Sequence, residues 1–207
     1  MLSLCDKAVY VSPFTYEGIQ KKYPELKEKI HFVPIGYSEE KIYPKRESST
    51  LDLCYCGDYN VKDRDLKPLI EAVEQLGKTC TLTLAGNSDL NIVSNENITV
   101  YPRVEKKKVD EIEQNSDVIV CVCNRSGTQI PGKIYHASAT NRAILVLLDG
   151  ENKDEIKKYF EDYNRFIFTK NDKESIIETL MALRENKPEA SPCEDLNGFN
   201  IAKKFIC

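Results

Sequence analysis

Two stretches in the second half of the chain, Val118–Val122 and Ile144–Leu148, are apolar on both of their alternating faces. A strand of this kind is buried on both faces, which is typical of a parallel sheet covered by helices on either side. Parallel strands need long crossover connections, and these are right-handed in nearly all proteins. The two stretches therefore predict an α/β fold built on a mostly parallel sheet.

Strand-like and helix-like segments alternate around these two stretches. Apolar residues at helical spacing predict a helix over Asp65–Leu76, and Asn171 with Glu174 forms a capping box for a helix through Leu183. The other predicted helices are Glu105–Asn115, Gly132–Thr140 and Asp154–Tyr163. The predicted strands are Leu51–Cys56, Thr79–Ala85, Ile98–Tyr101, Asp117–Cys123, Ala143–Leu148 and Arg165–Thr169. This alternation predicts a Rossmann-like, doubly wound, mostly parallel six-stranded sheet, whose ligands bind beyond the carboxyl ends of the strands.

The chain on either side of this region forms separate predicted units. The first contains the strands Ala8–Ser12 and His31–Pro34, the helix Thr15–Tyr23 between them, and the start of a polar linker over Ile35–Thr50. We therefore predict a strand–helix–strand unit with its linker over residues 1–44 and a sheet domain over 45–186. Residues 187–207 form a polar tail with a short last helix.

The charge balance narrows the classes of function. A formal net charge of -4 argues against a general role in binding nucleic acid or membrane surfaces. No apolar run reaches the roughly 18 residues that a membrane span needs. The first ten residues, which carry Asp6 and Lys7, lack the pattern of a signal peptide. We therefore expect a cytoplasmic protein with no nucleic-acid partner.

The cysteines indicate packing rather than metal binding. Cys54 and Cys56 alternate within one predicted strand, and Cys121 and Cys123 do so within another, so each pair lies on one face of its strand. A metal site needs further ligands within reach, and the chain has two histidines and no CxxC pair. We predict buried, reduced thiols that pack as small hydrophobic groups.

An aspartate pair offers a second candidate for a metal site. The residues Asp63-Arg64-Asp65 form a DxD pattern, and paired carboxylates can hold a divalent cation. The pattern comes just before a predicted amphipathic helix, where Asp is a common N-cap. We favour the cap and predict no metal site.

The best-marked ligand site is the junction Asn124–Lys133, which joins a buried strand to a helix that starts with Pro131, Gly132 and Lys133. The start of a helix offers unpaired N–H groups and the positive end of the helix dipole, and both favour phosphate. Gly132 lets a ligand approach the backbone, and Lys133 and Arg125 add positive charge. An ordinary helix start with proline is the alternative.

The loop after the first strand of the sheet, Gly57–Asn60, lacks the GxGxxG pattern, which speaks against an NAD-dependent dehydrogenase. Lys62 and Arg64 are candidate phosphate ligands, although solvated charges before a helix would look the same. His136 lies one helical turn after Lys133 and on the same helix face, close to the candidate site.

Together these residues resemble the GT-B-fold glycosyltransferases of the group 1, or family 4, type over about Leu4 to Glu185. The matching segments are Val33–Tyr37 with Ile42–Pro44, Cys56–Asp58 with Leu69–Ala72, Leu82–Gly86, Ile98–Val104 with Val109–Asp117, and Ile130–Tyr135. The resemblance implies the C-terminal, donor-binding half of a GT-B fold, with a remnant of the N-terminal half.

The resemblance also implies a function in polysaccharide or glycoconjugate synthesis. The implied activity is transfer of a sugar from a nucleotide diphosphate with retention of configuration, without a metal or other cofactor. Helix dipole and basic side chains would stabilise the leaving diphosphate. The implied donor-binding residues are Gly57, Asp58, Lys62, Arg64, Arg103, Arg125, Ser126, Gly127, Thr128, Gly132, Lys133 and His136, and no catalytic residue is assigned.

Three departures from the family pattern limit this expectation. Thr128 and His136 stand where the family commonly has glutamates, and Asp58 stands where arginine is common. Residues 1–34 match only the last strand–helix–strand of the acceptor half. We therefore expect this chain to bind the donor but not to catalyse transfer by itself. Turnover would need an acceptor domain or a partner subunit that this chain lacks. That missing half would also supply any peripheral membrane association.

Two alternatives stay open at this point. A non-catalytic module of the same fold that binds a partner protein would explain the absent glutamates, and it predicts an exposed apolar patch where the absent domain would dock. A sugar-nucleotide epimerase can share the architecture, although its acid and base residues are not located in this chain.

Overall fold

The structure, a computed structural model that describes residues 2–206, alternates strands and helices along the chain. The strands are β1 (Ala8–Tyr10), β2 (Ile30–Phe32), β3 (Leu51–Cys56), β4 (Cys80–Ala85), β5 (Ile98–Tyr101), β6 (Val118–Val122), β7 (Ala143–Leu148) and β8 (Ile167–Lys170). The α-helices are α1 (Pro13–Lys22), α2 (Lys67–Leu76), α3 (Lys106–Gln114), α4 (Gly132–Ala137), α5 (Lys153–Glu161), α6 (Lys173–Glu185) and α7 (Gly198–Ile206). No helix within residues 2–206 is long and apolar enough to span a membrane.

The main sheet is parallel throughout, with the strand order β5-β4-β3-β6-β7-β8. The chain winds outward from β3 in one direction and then from β6 in the other, so the order reverses between these two strands. This is the order of a doubly wound Rossmann-type sheet, and the predicted fold class is confirmed. Ligands of such sheets bind in the crevice where the order reverses.

Helices cover both faces of the sheet, as the apolar central strands require. Alternate residues of β6 belong to different clusters: Val118, Val120 and Val122 pack on the side of α2 and α6, whereas Ile119 and Cys121 pack on the side of α4 and α5. All residues of β6 and β7 are buried. Burying such side chains stabilises the fold by about 1.5–3 kcal/mol each.

The first part of the chain forms the predicted strand–helix–strand unit. β1 and β2 pair in parallel as a separate two-stranded sheet, with α1 between them. β1 ends two residues earlier than predicted because Ser12 is the N-cap of α1, where its hydroxyl accepts the N–H of Thr15. The predicted domain boundaries stay a prediction.

The segment predicted as a linker is held against the main sheet. Lys41 N donates to the Ala139 carbonyl at 2.9 Å, and Tyr43 N donates to Asn141 Oδ1 at 2.9 Å. Arg142 Nη2 donates to the Pro44 carbonyl at 2.9 Å. Residues 41–44 therefore have a fixed place beside β7, which the composition of this segment did not indicate.

The helices α1 to α6 each differ from prediction by one to three residues at one or both ends, and two of these differences have a local cause. The N-cap of α6 is Asp172, whose Oδ1 accepts the N–H of Ser175 at 2.9 Å, so the predicted cap at Asn171 was wrong. α4 ends at Ala137 rather than Thr140. Beyond it, the Thr140 hydroxyl donates to the Ala137 carbonyl at 2.9 Å, a local bond that competes with further helix.

The predicted last helix is present as α7, and Cys207 lies outside the described residues. The start of α7 packs closely against the segment after β2, where the N–H of Gly198 donates to the Tyr37 carbonyl at 2.8 Å. A Cβ on Gly36 would lie 2.6 Å from the Cα of Gly198. Only glycine at position 36 allows this approach, so the tail packs beside the N-terminal unit.

Candidate functional site

The candidate site lies where the sheet order reverses, between the loop after β3 and the loop after β6. A cavity of about 80 Å³ separates these loops. It is lined by Tyr55, Gly57, Arg64, Cys121, Val122, Pro131, Gly132 and Lys133. Four of the predicted donor-binding residues thus meet around one cavity although they lie up to 76 positions apart in the chain.

Lys133 extends from the start of α4 across to the loop after β3. Its Cε lies 3.4 Å from the position that a Cβ on Gly57 would take. Within residues 2–206, Lys133 forms no ion pair. Its positive charge therefore borders the cavity without a carboxylate to balance it, which suits an anionic ligand.

Arg64 links the two loops and lines the same cavity. Its Nε donates to Asn124 Oδ1 at 2.8 Å, and its Nη1 lies 3.5 Å from the Asp58 carbonyl oxygen. Asn124 is fixed in turn because its Nδ2 donates to the Gln129 carbonyl. Arg64 also borders an adjoining cavity of about 260 Å³ that includes Asn60 and Ser126. Arg64 therefore lines both cavities.

The start of α4 is less favourable for phosphate than predicted. The helix has six residues, so few peptide dipoles add along its axis. No side chain caps its first turn, and Gly132 leaves the backbone open toward the cavity. The attraction for an anion at this end comes mainly from Lys133 and Arg64.

Arg125 has a different place from the one expected of a phosphate ligand. Its Nε donates to Asp149 at 3.0 Å, its Nη2 to Asp65 at 3.1 Å, and its Nη1 to the Val61 carbonyl at 2.6 Å. Two carboxylates therefore already balance its charge. Arg125 joins the loops after β3, β6 and β7, and this network fixes the edge of the sheet that carries the site.

The predicted DxD pattern takes part in the same network. The N-cap of α2 is Leu66, so the predicted cap by an aspartate of this pattern was wrong. Asp65 precedes the cap; its Oδ1 accepts the N–H of Lys67, and its Oδ2 accepts from Arg125. The backbone carbonyl of Asp63 accepts the N–H of Arg125 at 2.9 Å. Across residues 2–206, no group of three His, Cys, Asp or Glu residues is arranged to hold a metal ion.

The tip of the loop after β6 packs on the N-terminal unit. The hydroxyls of Thr128 and Thr15 are 2.8 Å apart, and the Ser12 hydroxyl donates to the Thr128 carbonyl. Gly127 has a φ of +82°, and its carbonyl accepts from Asn152 at 2.9 Å. Thr128 is therefore engaged by α1, whereas Ser126 is exposed beside the 260 Å³ cavity.

The remaining predicted residues lie around the cavity rather than in its lining. Asp58 and Arg103 form an exposed ion pair at 3.7 Å, and Lys62 is exposed. His136 is on the exposed side of α4. Its pKa is lowered by partial burial and by the charges of Lys133 and Lys41, so its imidazole is neutral at pH 7.

Three residues of the site were missed in the sequence. Tyr55 at the end of β3 lines the cavity and donates its hydroxyl to the Asp58 carbonyl at 3.1 Å. A Cβ on Gly86 would lie 2.0 Å from the Gly57 oxygen, and a Cβ on Gly150, whose φ is +78°, would lie 2.5 Å from the Asn124 oxygen. Gly86 directly follows β4, and Gly150 lies two residues after β7. A glycine at the end of a strand is the sequence signal that could have identified both as site residues.

No protein-family profile and no curated protein sequence matches this chain. Solved structures match it in fold. A glycosyltransferase from Rickettsia africae superposes with a TM-score of 0.70 at 11% identity, over 97% of this chain and 62% of its own. HepE from Anabaena, solved with UDP and glucose, has a TM-score of 0.66 at 9% identity, over 98% of this chain and 62% of its own. A putative UDP-N-acetylglucosamine 2-epimerase from Listeria monocytogenes has a TM-score of 0.54 at 13% identity, over 99% of this chain and 59% of its own.

These matches establish the fold. The chain has the Rossmann-like architecture of one half of a GT-B glycosyltransferase, together with the strand–helix–strand unit that precedes it. The resemblance inferred from the sequence motifs is confirmed at this level. The chain spans less than two thirds of the length of the solved structures that it matches.

Proposed function

We propose that this chain binds the donor of a retaining glycosyltransferase, a nucleotide-diphosphate sugar, at the crevice between β3 and β6. The observation that carries the proposal is the pair of cations, Lys133 and Arg64, that line one cavity together with two glycines. Open backbone at Gly57 and Gly132 allows close approach, and the two cations attract phosphate.

The shape of the site suggests how such a donor would bind. The 80 Å³ cavity has room for a phosphate group but not for a whole sugar nucleotide, so the diphosphate would lie between Lys133 and Arg64. The adjoining 260 Å³ cavity, with Asn60 and Ser126, would take part of the remainder. The two cations would then stabilise the charge that develops on the leaving diphosphate.

Transfer itself is proposed for a larger assembly that includes an acceptor-binding half, as a second domain or a partner subunit. GT-B enzymes react in the cleft between two halves, and this chain corresponds to less than two thirds of its structural neighbours. A role in polysaccharide or glycoconjugate synthesis rests on the family resemblance. We assign no catalytic residue and no cofactor.

Calorimetric titration with UDP-, GDP- and ADP-glucose tests donor binding. We expect one of the three to bind, and we expect Lys133→Ala and Arg64→Gln each to weaken binding about 10- to 100-fold, because each removes a charge-assisted contact to phosphate. Lys158→Ala is the matched control, since this lysine is exposed on α5, outside the residues that line the site. Failure of the folded wild-type chain to bind any of the three would contradict the proposal.

A non-catalytic interaction module is the second candidate. It is favoured by the side chain of Thr128, which bonds to Thr15, and by two exposed valines, Val9 in β1 and Val11 just after it. This function predicts that a partner is captured equally well by the wild type and by a Lys133→Ala, His136→Ala double variant. A sugar-nucleotide epimerase rests only on the fold match to the Listeria protein, and assay with UDP-N-acetylglucosamine tests it.

A further inference from the structure

A second cavity lies at the opposite edge of the sheet, at the amino ends of β3, β6 and β7. Its volume is about 340 Å³. After α6 the chain passes over this edge as residues 187–191, and these residues close one side of the cavity. We call the space between residues 187–191 and the strands the strap cleft. It is separated from the candidate donor site by the length of the sheet.

Arg142 lines the strap cleft and is almost fully buried, with 6% of its surface exposed. Its Nη2 donates to the carbonyls of Pro44 and Gln114 at 2.9 and 2.8 Å, but its Nε is buried without a hydrogen-bond partner. Arg142 forms no ion pair with any residue of the range 2–206. Burial lowers the pKa of Arg142, the charge of Asp117 raises it, and the charge of Arg46 lowers it further.

Arg46 borders the same cleft, but its charge is paired. Its Nη2 bonds Asp52, its Nη1 donates to the Asn115 carbonyl, and its Nε lies 3.8 Å from Asp117 in an ion pair. Of these two guanidinium groups, that of Arg142 therefore lacks a carboxylate partner. A buried charge of this kind is costly, and an anion in the cleft would balance it.

The acidic groups of the strap cleft are already paired. Asp117 accepts from Lys187 Nζ at 2.9 Å, and Glu189 pairs with Lys45 at 3.3 Å. The neighbouring cavity beyond residues 188–191 is less suitable for an anion, because Glu189, Glu194 and Asp195 border it. The positive charge that remains without a counter-charge is that of Arg142, so an anion would be attracted to its side of the cleft.

Apolar side chains form the rest of the wall. Leu51, Val118 and Leu183 are buried residues that line the cleft from β3, β6 and α6. A cavity of this volume holds more than an inorganic ion, and an apolar wall stabilises a ligand with an apolar body. The two kinds of surface lie side by side in one space.

We propose that the strap cleft binds a small organic anion, with a phosphate or carboxylate head against Arg142 and an apolar body against Leu51, Val118 and Leu183. The ligand would supply the counter-charge that Arg142 lacks. It would also hold residues 187–191 against the sheet. This inference does not depend on the function proposed for the opposite edge.

Titration of the wild-type chain, followed by amide chemical shifts, tests the inference with four probes. Phenyl phosphate and benzoate distinguish the two head groups, inorganic phosphate lacks the apolar body, and benzyl alcohol lacks the charge. We expect saturable binding of phenyl phosphate or benzoate, with shifts at residues 187–191, and at least tenfold weaker binding of the other two probes. Equal binding of benzyl alcohol or inorganic phosphate, or no saturable binding of either organic anion, would overturn the proposal.

Variants of an exposed residue and of Arg142 locate the site. Ser191 is exposed and lines the cleft, so Ser191→Asp adds a negative charge near the head group without disturbing the core. We expect Ser191→Asp to weaken binding roughly tenfold. Ser191→Asn introduces a side chain of the same size and shape as aspartate without the charge, so it should leave the affinity unchanged. Arg142→Gln should abolish binding, with circular dichroism as the check on folding. Equal affinities for the two Ser191 variants would show that the anion binds elsewhere.

Discussion

At the scale of single residues, the site depends on which side chains are left without a partner. Arg125 and Lys133 are both cations of the loop region after β6, yet Arg125 is balanced by Asp65 and Asp149, whereas Lys133 borders the cavity without a counter-charge. Sequence spacing could not separate these roles, because the partners of Arg125 lie 60 and 24 positions away. A basic residue near a strand end is therefore only a candidate ligand of an anion until its contacts in the structure are known.

Glycines at strand ends control how closely the loops approach. A Cβ on Gly86 would lie 2.0 Å from the carbonyl oxygen of Gly57, so we expect Gly86→Ala to displace the loop after β3 and to destabilise the fold by about 1–3 kcal/mol. Urea unfolding measures the change. Gly18→Ala in α1, where no heavy atom lies within 4 Å, is the control and should stabilise by about 0.5–1 kcal/mol. Equal stability of the Gly86→Ala variant and the wild type would contradict the packing.

At the scale of elements, most strands follow directly from their composition. β3, β5 and β7 begin and end at the predicted residues. Each is a largely apolar run whose ends are marked by polar, charged or turn-forming residues, so the sequence defines its boundaries. Helix starts were less certain. Both Asn171 and Asp172 are good N-cap residues, and the helix begins with Asp172 because Asn171 instead donates to the Asp65 carbonyl and to Asp149.

The cap of α6 gives a prediction that depends on pH. Asp172→Ala removes the bond to the Ser175 N–H and should cost about 1 kcal/mol at pH 7. That bond and the Ser175 hydroxyl lower the pKa of Asp172, so the stabilisation is complete above the ordinary pKa of aspartate and is lost as the pH falls through the lowered value.

Urea unfolding of the wild type and Asp172→Ala at several pH values between 7 and about 2.5 tests this dependence. The difference in free energy of unfolding should shrink with acidification. Asp172→Asn is the control, since asparagine caps a helix equally well and does not ionise. A difference that stayed constant over this range would show that the charge of Asp172 does not matter.

At the scale of the whole molecule, the two-sided cover of the sheet isolates its interior from solvent. Cys54, Cys56, Cys80, Cys121 and Cys123 are buried in the strands or at their ends, as the sequence predicted, and the described cysteines are free thiols. Burial raises the pKa of Cys80, Cys121 and Cys123 to about 12. At these three cysteines the thiolate, which is the reactive form, is therefore scarce at neutral pH.

Thiol labelling with Ellman's reagent should report this protection. In a Cys207→Ser background, we expect Cys5, which is half-buried, to react first and the six buried thiols to react only as the chain unfolds. Cys5→Ser should remove the fast phase and leave the slow phase unchanged. A second fast-reacting thiol in the folded chain would contradict the burial of the sheet.

The sequence by itself determined the class of fold, because strands that are apolar on both faces are stable only inside a parallel sheet covered by helices. It also placed Gly57, Arg64, Gly132 and Lys133 at strand ends, which a parallel sheet brings to one edge. Only the tertiary structure decided which basic groups keep their charge available. That choice depends on contacts between distant segments, such as Arg125 with Asp65 in the donor edge and Arg142 with Pro44 at the opposite edge, and such contacts leave no local pattern in the chain.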